Sequence, residues 1–337
     1  MVTSTDGTSP TRRVAAVQLH AAVGDAPANI AHAESRIAEA FKAGAEIVAL
    51  PEFYTGTIAP VPETSNCVLP ARNVAIDMMK RLAKRHSGWV GGSMLVEDGG
   101  EIYNRYIFVG PEGQQYQHDK DLPTMWERAF YTGGSDDGVW DTELGGVGAA
   151  VCWELIRCQT IRRMRGRVQL AMTGTHWWTL PENWPGPVRA GLASIGQYNR
   201  YLSEQAPVEF ARRLGAPVIQ ASHCGAVGGT FRIGLRAGVP YDTHFVGATQ
   251  IVDSHGKVLA SRNALEGPGT VYADIALASL EPVSDDPLDR FWIPALPAFL
   301  KAYWHQQNLV SAPVYRRSAR VAGVQAARRA KGKGVAA

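Results

Sequence analysis

The ten residues Gly145-Gly-Val-Gly-Ala-Ala-Val-Cys152-Trp-Glu154 constrain the fold of this chain more than any other stretch. The unbroken apolar run over 147–151, bounded by glycines, has the length of a buried strand and lacks the alternation of a half-exposed one. A cysteine delivered at the C-terminal edge of such a strand can project into the crevice where α/β sheets hold their ligands. Taken alone, Cys152 reads as a small buried apolar residue. Only its partners can make it a nucleophile.

Similar short runs recur with helical patterns between them. Residues 13–19 and 46–50 read as buried strands. Between them, 27–43 predicts a helix with Ile30, Ala33, Ile37, Ala40 and Phe41 on one face and Gly44 as its stop. Residues 74–85 predict a second helix, and 89–96 with 102–109 a hairpin turning at Glu97-Asp-Gly-Gly100. The segment 118–134 has no clean period and is dense in polar and aromatic residues. It predicts a functional loop with one turn of helix. Beyond Cys152 the pattern predicts a short basic helix over 160–167, a strand over 168–172 and a helix over 190–214 interrupted at Pro207. Strands follow at 216–222, 245–252 and 270–275, and the aromatic stretch 291–310 suits packing on another subunit. This alternation places the chain in the α/β class. The domain plan is a flexible N-terminus over 1–11, one domain over 12–310 and a basic C-terminal tail over 311–337.

A composition 45% hydrophobic and 19% charged fits a soluble globular protein with a sizeable core. No apolar run approaches the roughly 20 residues of a membrane span, and the polar residues 1–10 are unlike a secretory signal. Four irregularly spaced cysteines, Cys67, Cys152, Cys158 and Cys224, imply reduced thiols in the cytoplasm rather than a disulfide framework. Eight Lys or Arg and no Asp or Glu fall in 291–337, so the net +3 of the chain conceals a body of net −5. The tail reads as a solvated, poorly ordered terminus, and the acidic body argues against a nucleic-acid partner.

A thiol with an ordinary pKa of about 8.5 is barely ionised at neutral pH, so a catalytic cysteine needs a base or a nearby cation. Glu52, just past a strand end in Leu-Pro-Glu52-Phe, can take the thiol proton. Lys120, in His-Asp-Lys120, can stabilise charge developing on a tetrahedral centre. Read blandly, Glu52 is a helix cap, Lys120 a solvated charge and Glu127 a salt-bridge partner. No His/Cys cluster has zinc spacing, so neither metal nor cofactor is expected, and His118, His176, His223 and His244 read as structural or pocket-lining.

These three motifs, in this order and 68 and 32 residues apart, resemble the nitrilase superfamily, the carbon–nitrogen hydrolases. The similarity runs from Val14 to about Ile275. It implies a four-layer α-β-β-α sandwich, usually assembled as a homodimer or larger homo-oligomer, and a second active-site glutamate, which Glu127 in Pro-Thr-Met-Trp-Glu127-Arg matches. It implies Glu52 as general base and acid, Cys152 as the nucleophile, and Lys120 with the Trp153 backbone N–H as stabilisers of the intermediate. The lysine loop, Tyr131-Thr-Gly-Gly and Cys152-Trp-Glu look most like the nitrilase branch, which implies nitrile hydrolysis to acid and ammonia. The chain departs from that branch at Leu155-Ile-Arg-Cys158 and at His176-Trp-Trp178, which keeps amides, including N-carbamoyl or substituted ones, as the alternative. Trp126, Trp153, His176, Trp177, Trp178, Trp184 and Tyr54 are the candidates for a bulky, apolar substrate pocket. A binding-only descendant is disfavoured because Glu52, Lys120 and Cys152 are all present. A cysteine protease is disfavoured because no histidine motif accompanies the nucleophile.

Overall fold

Strand β1 (Thr11–Leu19) sits at the centre of the molecule, and its residues are buried on both faces from Val14 onward. Alternate side chains therefore serve two cores. Val14 and Ala16 face a second sheet, while Ala15, Val17 and Leu19 face helices. The computed structural model describes residues 11–234, 237–277, 281–282 and 290–334. In chain order β1 is followed by α1 (Ala26–Lys42), β2 (Ile47–Ala49), β3 (Leu69–Pro70), α2 (Val74–His86), β4 (Trp89–Asp98), β5 (Glu101–Val109) and β6 (Gln115–Asp119). Next come β7 (Val139–Thr142), β8 (Gly145–Ala149), α3 (Cys158–Met164), β9 (Leu170–Thr175), α4 (Gly186–Leu214) and β10 (Val218–His223). The hairpin β11 (Ala226–Arg232) and β12 (Gly238–His244) precedes β13 (Thr249–Val252), β14 (Val258–Arg262) and β15 (Gly269–Ala276), and the chain closes with α5 (Ala298–Val314) and α6 (Arg320–Gly334).

Two six-stranded runs, β6-β5-β4-β2-β1-β15 and β7-β8-β9-β10-β13-β14, are joined where the end of β1 pairs with β10 at Gln18 and Leu19. Helices α1 and α2 cover the first sheet through Ile37, Phe41, Met79 and Leu82. Helices α3 and α4 bring Ile161, Met164, Phe210 and Leu214 into the core on the second-sheet side. This is the four-layer α-β-β-α architecture. The central strands β4, β2, β1, β10, β9 and β8 run parallel, so their C-terminal ends open towards one side. Among the described residues, no helix is long and apolar enough to cross a membrane.

Local chemistry sets the element ends. Asp25 caps α1 by accepting from Ala28 N, and Asn73 caps α2 by accepting from Ala75 N and Ile76 N. Gly99 and Gly100, both with positive φ, make the tight β4–β5 turn. Three expectations are corrected. Pro207 does not interrupt α4, because Leu202, Phe210 and Leu214 anchor the helix in the core on both sides of it. Residues 245–248 do not extend β13, since Gly247 and Ala248 take positive φ. Outside these corrections, Cys158 N donates to Phe291 O and Ile293 N to Ile156 O, which ties residues 291–293 to residues 156–158.

The third correction concerns the tail. Residues 311–334 are helical, with a π turn over Tyr315–Ala319 after Pro313, which lacks the N–H to continue the regular ladder. The tail is also docked. Tyr315 accepts from Ile102 N at 2.9 Å and donates to Glu101 Oε2 at 2.6 Å, and Arg320 pairs with Glu101 at 2.8 Å. The expected flexible N-terminus lies outside the described residues except for Thr11, which is already in β1. Replacing Tyr315 with Phe strands the buried Ile102 N–H, and denaturant unfolding should show a loss of about 1–3 kcal/mol; an unchanged midpoint would mean the tail is not docked in solution.

Candidate active site

Three chain segments end at the open side of the parallel strands, and each carries one candidate. Glu52 follows β2 and is fully buried. Its backbone is fixed from several directions. His223 Nε2, at the end of β10, donates to Glu52 O at 2.6 Å, and Phe53 N donates to Ser93 Oγ at 3.2 Å. Gly174 in β9 lies so close that a Cβ there would stand 2.4 Å from Glu52 N. Beyond Glu52, Phe53 turns into the inter-sheet core against Tyr131 and His176, with a positive φ of 53°. Tyr54 points the other way. Its hydroxyl donates to Met79 Sδ of α2 at 3.1 Å, and its ring belongs to the helix-side core, so it is not a pocket residue.

Lys120 follows β6. Its ammonium donates to Glu52 Oε1 at 2.7 Å and to Glu127 Oε2 at 3.0 Å, and all three side chains are fully buried. Glu127 sits in the one-turn 3-10 helix Met125–Ala129, where Oε2 also accepts from Thr124 N at 3.1 Å and Tyr131 OH at 2.5 Å. Asn104 in β5 donates to Glu52 Oε1 at 2.7 Å. Sequence reasoning missed Asn104 and Tyr131. The signal for Asn104 was an amide inside the apolar run of β5, whose burial demands a partner. After these bonds Glu52 Oε2 and Glu127 Oε1 remain without a partner, ready to accept a proton or water.

Strand β8 ends at Ala149, and Cys152 opens a 3-10 turn, Cys152–Ile156, with a positive φ of 55°. Such φ at a non-glycine residue is strained, and Phe53, Met125 and Cys152, one in each segment, all share it. Glu154 holds the turn in place. Its carboxylate accepts from Val151 N at 2.7 Å, from Asp121 N at 3.0 Å and from His118 Nε2 at 3.0 Å. His118 Nδ1 in turn meets Asp136 at 2.5 Å. The unexpected Arg157, fully buried, pairs with Asp121 and faces the Phe291 and Trp292 rings. The cysteine turn and the lysine loop are thus clamped together by a buried network of charges.

Burial pushes Glu52 up to about 7, with Lys120 opposing and Glu127 adding to the rise. Burial and then Glu52 push the Cys152 thiol well above its ordinary value, against the pull of Lys120. Burial alone would discharge Lys120, yet Glu127 and Glu52 carry it well above the ordinary lysine range. The resting site therefore holds a protonated thiol beside a charged lysine and a carboxylate that titrates near neutrality. His176 and His223 are driven down, chiefly by burial, and stay neutral. Among the described residues, no cluster of three or more His, Cys, Asp or Glu fits a metal ion.

Trp153, Trp177 and Trp178 line a narrow cavity of about 20 Å³ at Cys152, together with Leu300 and Tyr303 of α5. Trp177 is fixed by donating to Asn199 Oδ1 at 2.8 Å. His176 stacks behind, between Phe53, Trp126 and Phe245, with both ring nitrogens unpartnered. Trp184 lies elsewhere, against Phe231 and Tyr241.

His118 carries a pH signature. Burial opposes its charge, but Glu154 and Asp136 raise it to about 10. A raised folded value means that its stabilisation is full below the ordinary 6.5 and is lost as pH rises through about 10. His118→Gln should therefore lower the unfolding midpoint most at pH 6.5 and least above pH 10. A deficit that stays constant across that range would contradict the charged pair.

The Carbon-nitrogen hydrolase family model matches residues 13–285. A bifunctional nitrilase/nitrile hydratase, NIT4A, of Lupinus angustifolius is 29% identical over 175 residues, which is 45% of this chain and 49% of that protein. The aliphatic nitrilase of Rhodococcus rhodochrous is 27% identical over 298 residues, covering 80% of this chain and 76% of its own. The fold matches Nit3 of Saccharomyces cerevisiae, a member of branch 10 of the nitrilase superfamily, with a TM-score of 0.59 at 19% identity over 80% of this chain and 92% of that one. The chain spans about half the length of the first of these relatives. With the family model covering both strand runs and every catalytic candidate, the chain belongs to the carbon–nitrogen hydrolase family.

Proposed function

We propose that this carbon–nitrogen hydrolase converts a nitrile to its carboxylic acid and ammonia through a covalent intermediate on Cys152. The observation that carries the reading is the buried array in which Lys120 sits 2.7 Å from Glu52 and 3.0 Å from Glu127 beside the thiol. Glu52 accepts the Cys152 proton as sulfur attacks the nitrile carbon, and the proton passes to nitrogen to give a thioimidate. Lys120 and the Trp153 N–H, which opens a 3-10 turn and has no partner within it, stabilise the developing negative charge. Water deprotonated by Glu52 adds to the carbon, the C–N bond breaks, and ammonia leaves with protons returned by Glu52. A second water cleaves the thioester and restores the thiol. Glu127, tied to Lys120, Tyr131 and Thr124 N, keeps the ammonium charged and aimed.

A second reading, hydrolysis of an amide, enters the same cycle at the thioester after direct loss of the amine. It is favoured by the buried Arg157–Asp121 pair, which stands where the chain departs from the nitrilase pattern. The cavity at Cys152, about 20 Å³, is little more than the ~10–15 Å³ that one water needs, so any larger substrate must displace Leu300, Tyr303 or an indole. The indoles around it supply flat apolar surface for an aromatic or branched side chain.

Ammonia release from matched aromatic and aliphatic nitrile and amide pairs tests the reading. Release from nitriles is expected, and Cys152→Ala should abolish it. Release from amides alone would overturn the nitrile assignment and keep the thiol. A pH profile tests the base. Because Glu52 must be ionised to accept the proton and titrates at about 7, kcat/KM should fall as pH drops below about 7. An acid limb near the ordinary carboxylate value would remove Glu52 from the role.

A further inference from the structure

We propose that a second cavity, outside the Cys152 chamber, binds a small apolar monocarboxylate with its charge on Arg232. The cavity holds about 240 Å³ and lies between the loop after Glu52, the turn bearing Glu127, hairpin β11–β12 and the C-terminal helices. It shares no lining residue with the cavity at Cys152. Most of its wall is apolar, with Pro60, Val61, Phe130 and Val314 prominent. A cavity of ~150 Å³ suffices for benzene, so this one accommodates a ring and a carboxylate.

Two polar atoms in its wall lack partners but lie beneath the surface, and one charged group lines it. Trp126, 3% exposed, lines it and leaves Nε1–H without an acceptor. Ser311, fully buried in α5, lines it and leaves Oγ unpartnered, where a helical serine would ordinarily bond back to its own backbone. Among the described residues, Arg232 is the single cation on the wall, and no carboxylate lines it. Unlike Arg105, Arg157 and Arg320, it forms no ion pair among the described residues. A guanidinium without a counter-charge at the edge of an apolar cavity selects an anion with an apolar body.

The C-terminal wall is the π turn Tyr315–Ala319, contributing Ser318 and Ala319. Such turns are uncommon and tend to shape functional surfaces. On the opposite wall Trp126 packs on Trp178, which lines the Cys152 chamber, at 4.6 Å between ring centroids. A bound acid would therefore press on the residue next to Glu127. Carboxylic acids are also what carbon–nitrogen hydrolysis releases, but the assignment rests on Arg232 and the apolar wall, not on the substrate.

The test is equilibrium binding of 4-fluorobenzoate to the full-length Cys152→Ala protein, followed by fluorine NMR, so that no chemistry intervenes. Saturation in the millimolar range or below is expected. Arg232→Gln should weaken it about tenfold or more, as when a charge-assisted hydrogen bond is lost. Ala322→Phe, which fills the cavity from α6, should abolish it, while 4-fluorobenzamide should not distinguish Arg232 from Gln. Equal acid binding to the Arg232→Gln protein, or no saturation in the millimolar range, would overturn the proposal. So would affinity that falls as protein concentration rises, the mark of a second copy covering the cavity.

Discussion

A lysine ammonium with no access to water is the constraint on which the rest of the site depends. Placed alone in this interior, Lys120 would shed its proton, because burial penalises the charged form. Two carboxylates hold it charged, and that choice creates a second problem, since Glu52 and Glu127 together exceed the one positive charge. Donors relieve the excess. Tyr131 and Thr124 N serve Glu127, and Asn104 serves Glu52. Glu127 receives the fuller set, and Glu52 is pushed up to about 7 by burial and by Glu127, against the pull of Lys120. A base poised at working pH thus follows from burial of a carboxylate beside one cation and a second carboxylate.

The second charged network answers a different need. The turn opened by Cys152 is short and strained and has little helix of its own to hold it. Glu154 and Arg157 extend from that turn, and His118 and Asp121 from the lysine loop, so that each side supplies one acid and one base. Removing one partner from such a buried set leaves an uncompensated charge, which costs several kcal/mol, roughly 3–5. The spacing between nucleophile and lysine is therefore fixed by electrostatics rather than by a shared element of secondary structure.

Much of this was legible in the sequence. Apolar runs ending in Glu52 and Cys152 mark strand ends, and the periodic faces of α1 and α2 mark helices, because burial leaves a local rhythm. What was not legible depends on long-range partners. The chain places Tyr54 two residues from Glu52, yet which side of the sheet it faces is set by the positive φ at Phe53. Hairpin β11–β12 is rich in glycine and half exposed, so it carries no apolar alternation. The tail reads as solvated for its many Ala, Gly and Arg. Those small residues instead permit close approach, with Gly323 against Ile102 and Val68 and with Ala326 and Ala327 buried. Small side chains signal either indifference or intimate packing, and composition does not distinguish them.

The position of β1 has a consequence for how the molecule is made. The first described strand pairs with β2 nearby, but its other edge waits for β15, eight residues of register from Thr11 opposite Ala276 to Gln18 opposite Gly269. Gln18 also reaches forward to the carbonyls of Asn263 and Gly267, both at 2.8 Å. On a ribosome this strand is therefore made well before β15, the strand that closes its second edge. Until then it presents an apolar edge of the kind that invites mispairing. Contacts this far apart in sequence slow folding, and this edge stays unpaired until β15 has been made.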